Sequence, residues 1–595
     1  MQTRRLLATA PALRRSLAPA TRALPKRVEN PSSRVLSHVR TCTSHTPPNQ
    51  VALRSTTLRS AFPTKTVIFL VVVSGLVYLF VEIHEVTWAD EVLASFAADS
   101  NPTAPLHFYA NKDELDHWLR FHVPDPSNTF KDPDVGLTLS ANFSRLVQGW
   151  MLTEKESMDA NLPVTHGCRF QSNDPCEDYF ALGTSPGVGG KAWNYWSIMD
   201  GHAGFDTAVY LQQVLIPRVS IALSTLSPNS GPMQIEHTIK DAFLRLDKQI
   251  MEKARTAAGW FPAASPSAIF ALEAALSGSC ALLAAFDPEK NTLRVACTGD
   301  SRAVLGRWDA ASNTYTSIPL SEDQTGFNPK EVARLAAAHP DEPDMIDPKT
   351  GRLHGIAITR AFGDHRWKWD NDFVKTVQAK FWATGPRPQS QTPPYMTAEP
   401  EVTETQIVRV DPYDENSARQ GRKSDFLILA SDGLWDRMSS EHAVECVARW
   451  LDSTAHGQGS ALRDPHFLNR PFHFPPPNTP DPGVDMVDGA LSWQATPEYF
   501  AIEDENAAVC LARNAMGGTR RGLFLGLLSV HAPWRRNAVD DTTVMVVFFD
   551  DLRQQQQQQQ QQKHPPRAQD SGPDARADNG RKTRWWLPWT YWPRD

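Results

Sequence analysis

Residues 426–436 read FLILASDGLWD. Five apolar residues, Phe426–Ala430, run without a break into Ser431, Asp432 and Gly433, and Asp436 closes the segment. An apolar run this short, bounded by Asp and Gly, suits a strand buried on both faces. Such a strand delivers Asp432 to a sheet edge, and the glycine beside it allows close approach of backbone or ligand. The same pattern occurs three more times. WSIMDGHAG (196–204) carries Asp200, Gly201 and His202; VACTGDSRAVLG (295–306) carries Asp300; AVDDTTVMVVFF (538–549) carries Asp540 and Asp541.

Working outward, short apolar runs at 195–199, 281–286, 292–297, 303–308 and 544–549 read as further strands. Residues 205–226, 234–257, 329–338 and 440–451 read as helices. In the second of these, Ile235, Ile239, Ala242, Phe243, Leu246 and Ile250 recur at near-helical spacing. Successive strands are often too close for helical crossovers, so the pairing is expected to be antiparallel and the class α+β.

With 595 residues, 41% hydrophobic and 21% charged, the chain can bury a sizeable core, which excludes wholesale disorder. Its length fits two to four domains, or one large domain with long extensions. The seven cysteines, at 42, 168, 176, 280, 297, 446 and 510, include no C-x-x-C pair, which excludes a disulfide scaffold and a zinc ribbon. The 46 prolines are a surplus that belongs in linkers or insertions. Two stretches look inserted. Residues 376–397 hold Pro386, Pro388, Pro393 and Pro394, and residues 453–500 hold Pro475, Pro476 and Pro477; both read as long surface loops.

Charge is divided unevenly. Residues 1–65 hold twelve basic residues and one acid, Glu29, leaving 48 basic and 66 acidic residues beyond them, a net −18. A body so acidic lacks the basic face that nucleic acid requires. The opening MQTRRLLATAPALRRSLAPATRALPKR has no acid and is rich in Arg, Ala, Leu, Ser and Thr, the composition of a mitochondrial transit segment. A basic disordered tail is the alternative. Residues 67–81 (VIFLVVVSGLVYLFV) form an uncharged apolar run of fifteen. A full membrane span needs roughly 20 residues. The run reads as an inner-membrane anchor, a cleaved sorting stop or a buried helix. Residues 1–65 are thus expected to target the chain, 66–83 to meet or sort at a membrane, and 84–162 to form a partly ordered lead-in. The tail, 553–595, opens with a tract of nine glutamines (Gln554 to Gln562) and ends in RWWLPWTYWPRD, an interfacial anchor, a docking peptide or chance aromatics on a disordered segment.

The chemistry lies in the acids. Asp-Gly after a strand is more often a turn than a ligand. Four such segments in one chain point instead to converging carboxylates, whose repulsion a cation would relieve. With neither a Cys pair nor a His cluster nearby, the site is a hard-oxygen one, suited to Mg2+ or Mn2+. Such ions lower the pKa of a bound water and so make it a better nucleophile near neutral pH. His202 could protonate a leaving oxygen; by itself it reads equally well as a satisfied polar residue.

In order along the chain, NDPCEDYF (173–180), DGHAG (200–204), GDSRAV (299–304), LSEDQTGFNPKEVARL (320–335), RLHGIAITRAFGD (352–364), TAEPEV (397–402), SDGLWD (431–436) and DDTTV (540–544) resemble the motifs of the metal-dependent PP2C (PPM) serine/threonine phosphatases. The resemblance covers about 163–552, with the two insertions inside it. It implies a β-sandwich of two antiparallel sheets flanked by helices, in α-β-β-α layers, and a site for two Mg2+ or Mn2+ ions with a weaker third position. By position, Asp200 would bridge both metals and the Gly201 carbonyl would bind one, while Asp432 and Asp540 would hold the other. Glu177 and Asp178 would orient metal-held waters, Asp300 and Asp436 match the third position, and His202 matches the general acid. Residues 321–360 would form a flap beside the site. Arg302, Arg334 and Arg360 read as braces for loops.

Many family members carry an arginine phosphate clamp four residues before the opening Glu. Here that position is Asn173, and Arg169, four residues further back, is the nearest alternative. Asparagine there resembles the mitochondrial pyruvate dehydrogenase phosphatase branch, fungal type, as do RAFGDHRWKW (360–369) and TPPYMTAEPEVT (392–403). That resemblance implies a phosphoprotein substrate, the pyruvate dehydrogenase E1 alpha subunit, in mitochondria. The competing functions are a catalytically inactive binding module, a phosphatase with another mitochondrial substrate, and a two-metal nuclease; the acidic body disfavours the last.

Overall fold

The computed structural model describes residues 143–411, 421–455, 481–487, 490–530 and 534–550. The expected targeting segment, the apolar segment 66–83 and the tail 553–595 lie outside them. No helix among the described residues is long and apolar enough to cross a membrane.

Two antiparallel sheets carry the fold. The first is ordered Trp150–Met151 (β1), Val164–Phe170 (β2), Thr542–Phe548 (β16), Phe426–Ala430 (β13), Arg302–Asp309 (β9) and Thr314–Pro319 (β10). The second is ordered Glu401–Gln406 (β12), Thr292–Thr298 (β8), Ala281–Asp287 (β7), Ala192–Met199 (β4) and Tyr179–Pro186 (β3). Phe362–Gly363 (β11), Gly278–Ser279 (β6) and Gly201–His202 (β5) form a short third sheet, and Val484–Val487 (β14) pairs with Ala490–Trp493 (β15).

The apolar runs lack polar alternation because both faces of each strand are covered. Side chains alternate between faces. On β13, Leu427 and Leu429 enter a core between the two sheets, together with Trp196 and Ile198 of β4 and Met545 and Val547 of β16. Phe426, Ile428 and Ala430 face the other way, into a core shared with Val444 and Val447 of the helix Ser440–Ala455 and with Leu511 of the helix Ala507–Ala515. Across the sandwich, Tyr195 and Met199 of β4 pack on Leu211 and Leu215 of the helix Asp206–Ser224 and on Phe243 of the helix Pro232–Trp260. The layers are therefore helix, sheet, sheet, helix, as the family resemblance implied. The Trp196 indole donates to Thr165 Oγ1 of β2 at 3.1 Å, a buried polar tie across the sandwich.

Three stretches depart from expectation. Residues 376–397 are not all loop: the helix Asn371–Phe381 occupies the first part and buries Val374, Val377 and Phe381. Asp370 caps it by accepting from the Phe373 N–H at 2.8 Å. The prolines that suggested a loop all lie beyond its end. Within 453–500, the β14–β15 hairpin is ordered and Trp493 is buried, its indole donating to the Ala515 carbonyl at 2.9 Å. The domain also begins before 163. Phe143 is fully buried, its ring edge-on to Phe524, and β1 extends the first sheet by pairing with β2.

Antiparallel register places the chemistry. The last residue of β13, Ala430, pairs with Val544 near the start of β16 and with Arg302 at the start of β9. Asp432, Asp540 and Asp300 therefore emerge at one edge. In the second sheet Met199 pairs with Tyr179, so Asp200 and Asp178 flank one edge in the same way. Leu429→Ala should leave a cavity between the sheets and lower unfolding free energy by about 2–5 kcal/mol, read from the denaturant midpoint. A loss below about 1 kcal/mol would mean that the inter-sheet layer is not the core described.

Candidate metal centre

The Asp200, Asp300 and Asp432 carboxylates converge: each offers an oxygen within 4.8 Å of the others, and all three are half-buried. Asp200 follows β4, and its carbonyl accepts from the Cys280 N–H at 2.8 Å. Asp300 follows Gly299, whose φ of +109° turns the chain sharply between β8 and β9. Asp432 opens the helical turn Asp432–Trp435 after β13. Burial pushes all three carboxyls up, joined at Asp200 by repulsion from Asp432, at Asp432 by repulsion from Asp300 and, at Asp300, by the charge of Asp323. Asp200 and Asp432 rise well above the usual carboxylate range, and Asp300 rises to about 6, relieved in part by the Cys280 thiol that donates to it.

Such a cluster fits a hard divalent cation. Its donors are all oxygen, and the buried Asp200 Oδ2 has no hydrogen-bond partner among the described residues. An acceptor left so, beside two further carboxylates, is costly unless a cation meets it. Asp540 adjoins the cluster, and its negative charge further raises Asp200 and Asp432. It is ion-paired to Arg536, one turn earlier. Asp436 is exposed, a helical turn beyond Asp432, to whose carbonyl its N–H donates at 2.8 Å. Gly201 has no room for a side chain: a Cβ would stand 2.4 Å from the Glu177 carbonyl oxygen.

The opening acidic motif packs beneath. Asp178 is buried, accepts from Ser431 Oγ at 2.7 Å, and is pushed up to about 7 by burial and by Asp541. Glu177 accepts from the Gly204 N–H at 2.6 Å and from Asn173 Nδ2 at 2.9 Å. Burial raises its carboxyl. The Asn173 amide is thus directed at Glu177, and more weakly at Asp541 at 3.4 Å. Arg169 points away from the cluster, donating to the Asp178 carbonyl at 3.2 Å and to Gln148 Oε1 at 2.9 Å.

His202 Nε2 lies 2.8 Å from Asp364 Oδ2. Burial disfavours the imidazolium, but the Asp364 carboxylate outweighs it and the pKa rises. Gly278 makes room for the pair, since a Cβ there would fall 2.1 Å from His202 Nε2. The flap docks through Gln324, which accepts from the Gly299 N–H at 2.7 Å and donates to the Cys297 carbonyl at 3.0 Å. The three arginines brace it. Arg302 pairs with Asp323 at 2.5 Å, while Arg334 and Arg360 converge on the buried Glu331 at 2.8 and 2.5 Å. Burial alone would raise Glu331; the two guanidiniums bring it down to about 2.

Two positioning residues were not singled out from sequence. Asp364 sits in the quoted RAFGD segment without a role. Asp541 is the second acid of DDTTV, and the doubled acid was the available signal. Its Oδ1 accepts from the Ser172 and Asn173 N–H groups at 2.6 and 2.9 Å, and its Oδ2 from the Glu177 N–H at 2.7 Å. It therefore fixes the loop that carries Glu177 and Asp178.

The profile of the family described as Protein phosphatase 2C matches residues 158–464. The chain belongs to the protein phosphatase 2C family. It is a metal-dependent protein serine/threonine phosphatase of that type. A protein phosphatase 2C homolog of Schizosaccharomyces pombe is 36% identical over 378 residues, covering 62% of this chain and 76% of the relative. The mitochondrial pyruvate dehydrogenase (acetyl-transferring) phosphatase 1 of Saccharomyces cerevisiae is 33% identical over 371 residues, 58% of this chain and 60% of that protein. Its Homo sapiens namesake is 31% identical over 309 residues, 49% and 50%. The match thus spans only part of the length of the two pyruvate dehydrogenase phosphatases.

Asp541→Asn keeps the shape but replaces one accepting oxygen with a donor facing N–H groups. We expect a stability loss of about 1–3 kcal/mol and weaker Mn2+ binding by calorimetry. Unchanged Mn2+ affinity would show that the 172–177 loop is not coupled to the site.

Proposed function

We propose that this phosphatase acts in mitochondria, removing phosphate from serine or threonine of the pyruvate dehydrogenase E1 alpha subunit. The observation that carries the reading is the buried, unpartnered Asp200 oxygen among the Asp300 and Asp432 carboxylates. The acid-free N-terminus and the names of the budding-yeast and human relatives support the compartment and the substrate. An inactive binding module is disfavoured, because no acid of the expected set has been replaced.

In this reading Asp200 and the Gly201 carbonyl, with Asp432 and Asp540, hold two Mg2+ or Mn2+ ions, and Asp300 and Asp436 serve a third position. When bound, these ions supply an acidified water as nucleophile. Glu177 and Asp178 orient water through their fixed carboxylates. His202, protonated, gives its Nε2 proton to the Asp364 hydrogen bond and keeps Nδ1–H for the leaving serine or threonine oxygen. Asp364 favours this protonated form, so the acid stays available further into neutral pH. Arg536 supplies the fixed positive charge that Asn173 does not, and a guanidinium can grip a phosphate with two donors. Inner-membrane association through residues 66–83 remains part of the proposal.

Mitochondria lacking this chain should accumulate phosphate on the E1 alpha subunit. Restored native protein should clear it, and Asp200→Asn should not, although it folds. Unchanged E1 alpha phosphosites would refute the substrate, and clearance by Asp200→Asn would refute the bridging role. Arg536→Gln should act in two opposite directions. It releases Asp540, so Mn2+ should bind more tightly, while inhibition by inorganic phosphate should weaken about tenfold. If both affinities stay unchanged, Arg536 plays no part in the site.

A further inference from the structure

Next to the His202–Asp364 pair the molecule gathers two guanidiniums that form no ion pair among the described residues. Arg366 lies in the short helix His365–Lys368, which follows Asp364 directly, and Arg387 lies in the loop after the helix Asn371–Phe381. Both guanidiniums lie over the Trp367 ring, 5.6 and 4.6 Å from its centroid. Each has a buried Nε with no hydrogen-bond partner among the described residues, and neither forms an ion pair there. His354, close enough to feel the charge of Arg387 and of Glu342, has a buried Nε2 with no hydrogen-bond partner among the described residues. Burial and then the charge of Arg387 lower the Arg366 pKa; burial lowers that of Arg387, and the only carboxylate whose charge registers on either is Asp364. Asp364 is already engaged by His202.

Two half-buried cations held against one aromatic ring, with buried donors unused, are costly unless an anion joins them. The packing does not demand the arrangement, since Trp367 is already anchored by its indole N–H to the Leu353 carbonyl at 3.0 Å. Gly355 lies against this cluster, where an added Cβ would come 3.0 Å from Arg387 Nη1. We propose that Arg366, Arg387 and His354 form an oxyanion-binding subsite that takes an acidic side chain or second phosphate lying a few residues from the phosphoserine under attack. The inference rests on the phosphatase reading of the adjoining site. Its physical basis is electrostatic. An acidic peptide approaching Asp200, Asp300 and Asp432 is repelled, and the two guanidiniums on the flap side offset that repulsion for one charge layout and not others.

The test compares phosphoserine peptides that differ only at flanking positions, scanned with Ala or Asp. At one position or more, Asp should lower KM about tenfold with kcat little changed. R366Q/R387Q should abolish the difference, and R387E alone should turn the preference from Asp to Lys at the same position. Rising salt should also narrow the native preference, a measurement that needs no variant. An absent Asp preference in the native protein overturns the proposal, as does a preference that survives in R366Q/R387Q. Turnover of the all-Ala peptide by native protein reports the phosphatase reading separately.

Discussion

Like charges forced together at one sheet edge are the constraint around which this molecule is arranged. Asp200, Asp300 and Asp432 bring oxygens within 4.8 Å of each other, and Asp178 and Asp540 stand close enough to raise their protonation further. Left alone, the arrangement opposes folding, because each half-buried carboxylate disfavours ionisation of the next. Strand register makes it unavoidable: once β13 pairs with β9 and β16, the acids at their ends share an edge. A divalent cation turns this liability into affinity. The free energy it gains on binding is drawn partly from relief of repulsion already present in the folded chain, so cation binding and stability are linked.

The supporting network follows from that constraint. A carboxylate that repels its neighbours drifts unless it is hydrogen-bonded, and here the anchoring is reciprocal between strands far apart in sequence. Ser431 donates to Asp178 and accepts from the Thr543 N–H at 2.9 Å, joining three segments through one hydroxyl. Asp541 does the same for the 172–177 loop, chiefly through backbone donors. Gly201 and Gly278 matter for the space they leave, since side chains there would strike the Glu177 carbonyl and the His202–Asp364 pair. Geometry at the cation-facing atoms is thus set by groups that never face a cation.

Antiparallel α+β pairing was legible in the short strands, apolar on both faces, whereas the sandwich followed only from the resemblance of the ordered motifs to a known family. Long helices such as Pro232–Trp260 showed in the spacing of Ile235, Ile239, Phe243 and Leu246. The helix Asn371–Phe381 was hidden by prolines that lie outside it. Convergence of the acids was inferable from their repeated position at strand ends. What was not inferable is pairwise. Nothing in the order of residues says that Arg169 turns to Gln148, that Arg536 meets Asp540, or that Asp364 rather than Glu177 holds His202. Those choices depend on side-chain directions at loop ends, which carry no periodicity. Both residues of the Asp540–Asp541 doublet were visible, yet only register decides that one faces the cluster and the other the loop.

Charge layout then bears on which substrates reach the site. The chain beyond residue 65 carries a net −18, and its catalytic edge is itself acidic. A phosphorylated partner, anionic where it matters, meets an unfavourable field over most of this surface. Attraction must therefore be local. In the proposed reading it lies in the cations that the aspartates would hold and in the paired Arg366 and Arg387 beside Asp364, with Arg536 joining once a cation takes Asp540 from it. Arg302, Arg334 and Arg360 contribute little to such steering, because Asp323, Glu331 and Glu401 neutralise them within the fold. Selectivity in such a field comes less from affinity for phosphate, common to every phosphoserine, than from rejecting peptides whose remaining charges fall where no arginine stands.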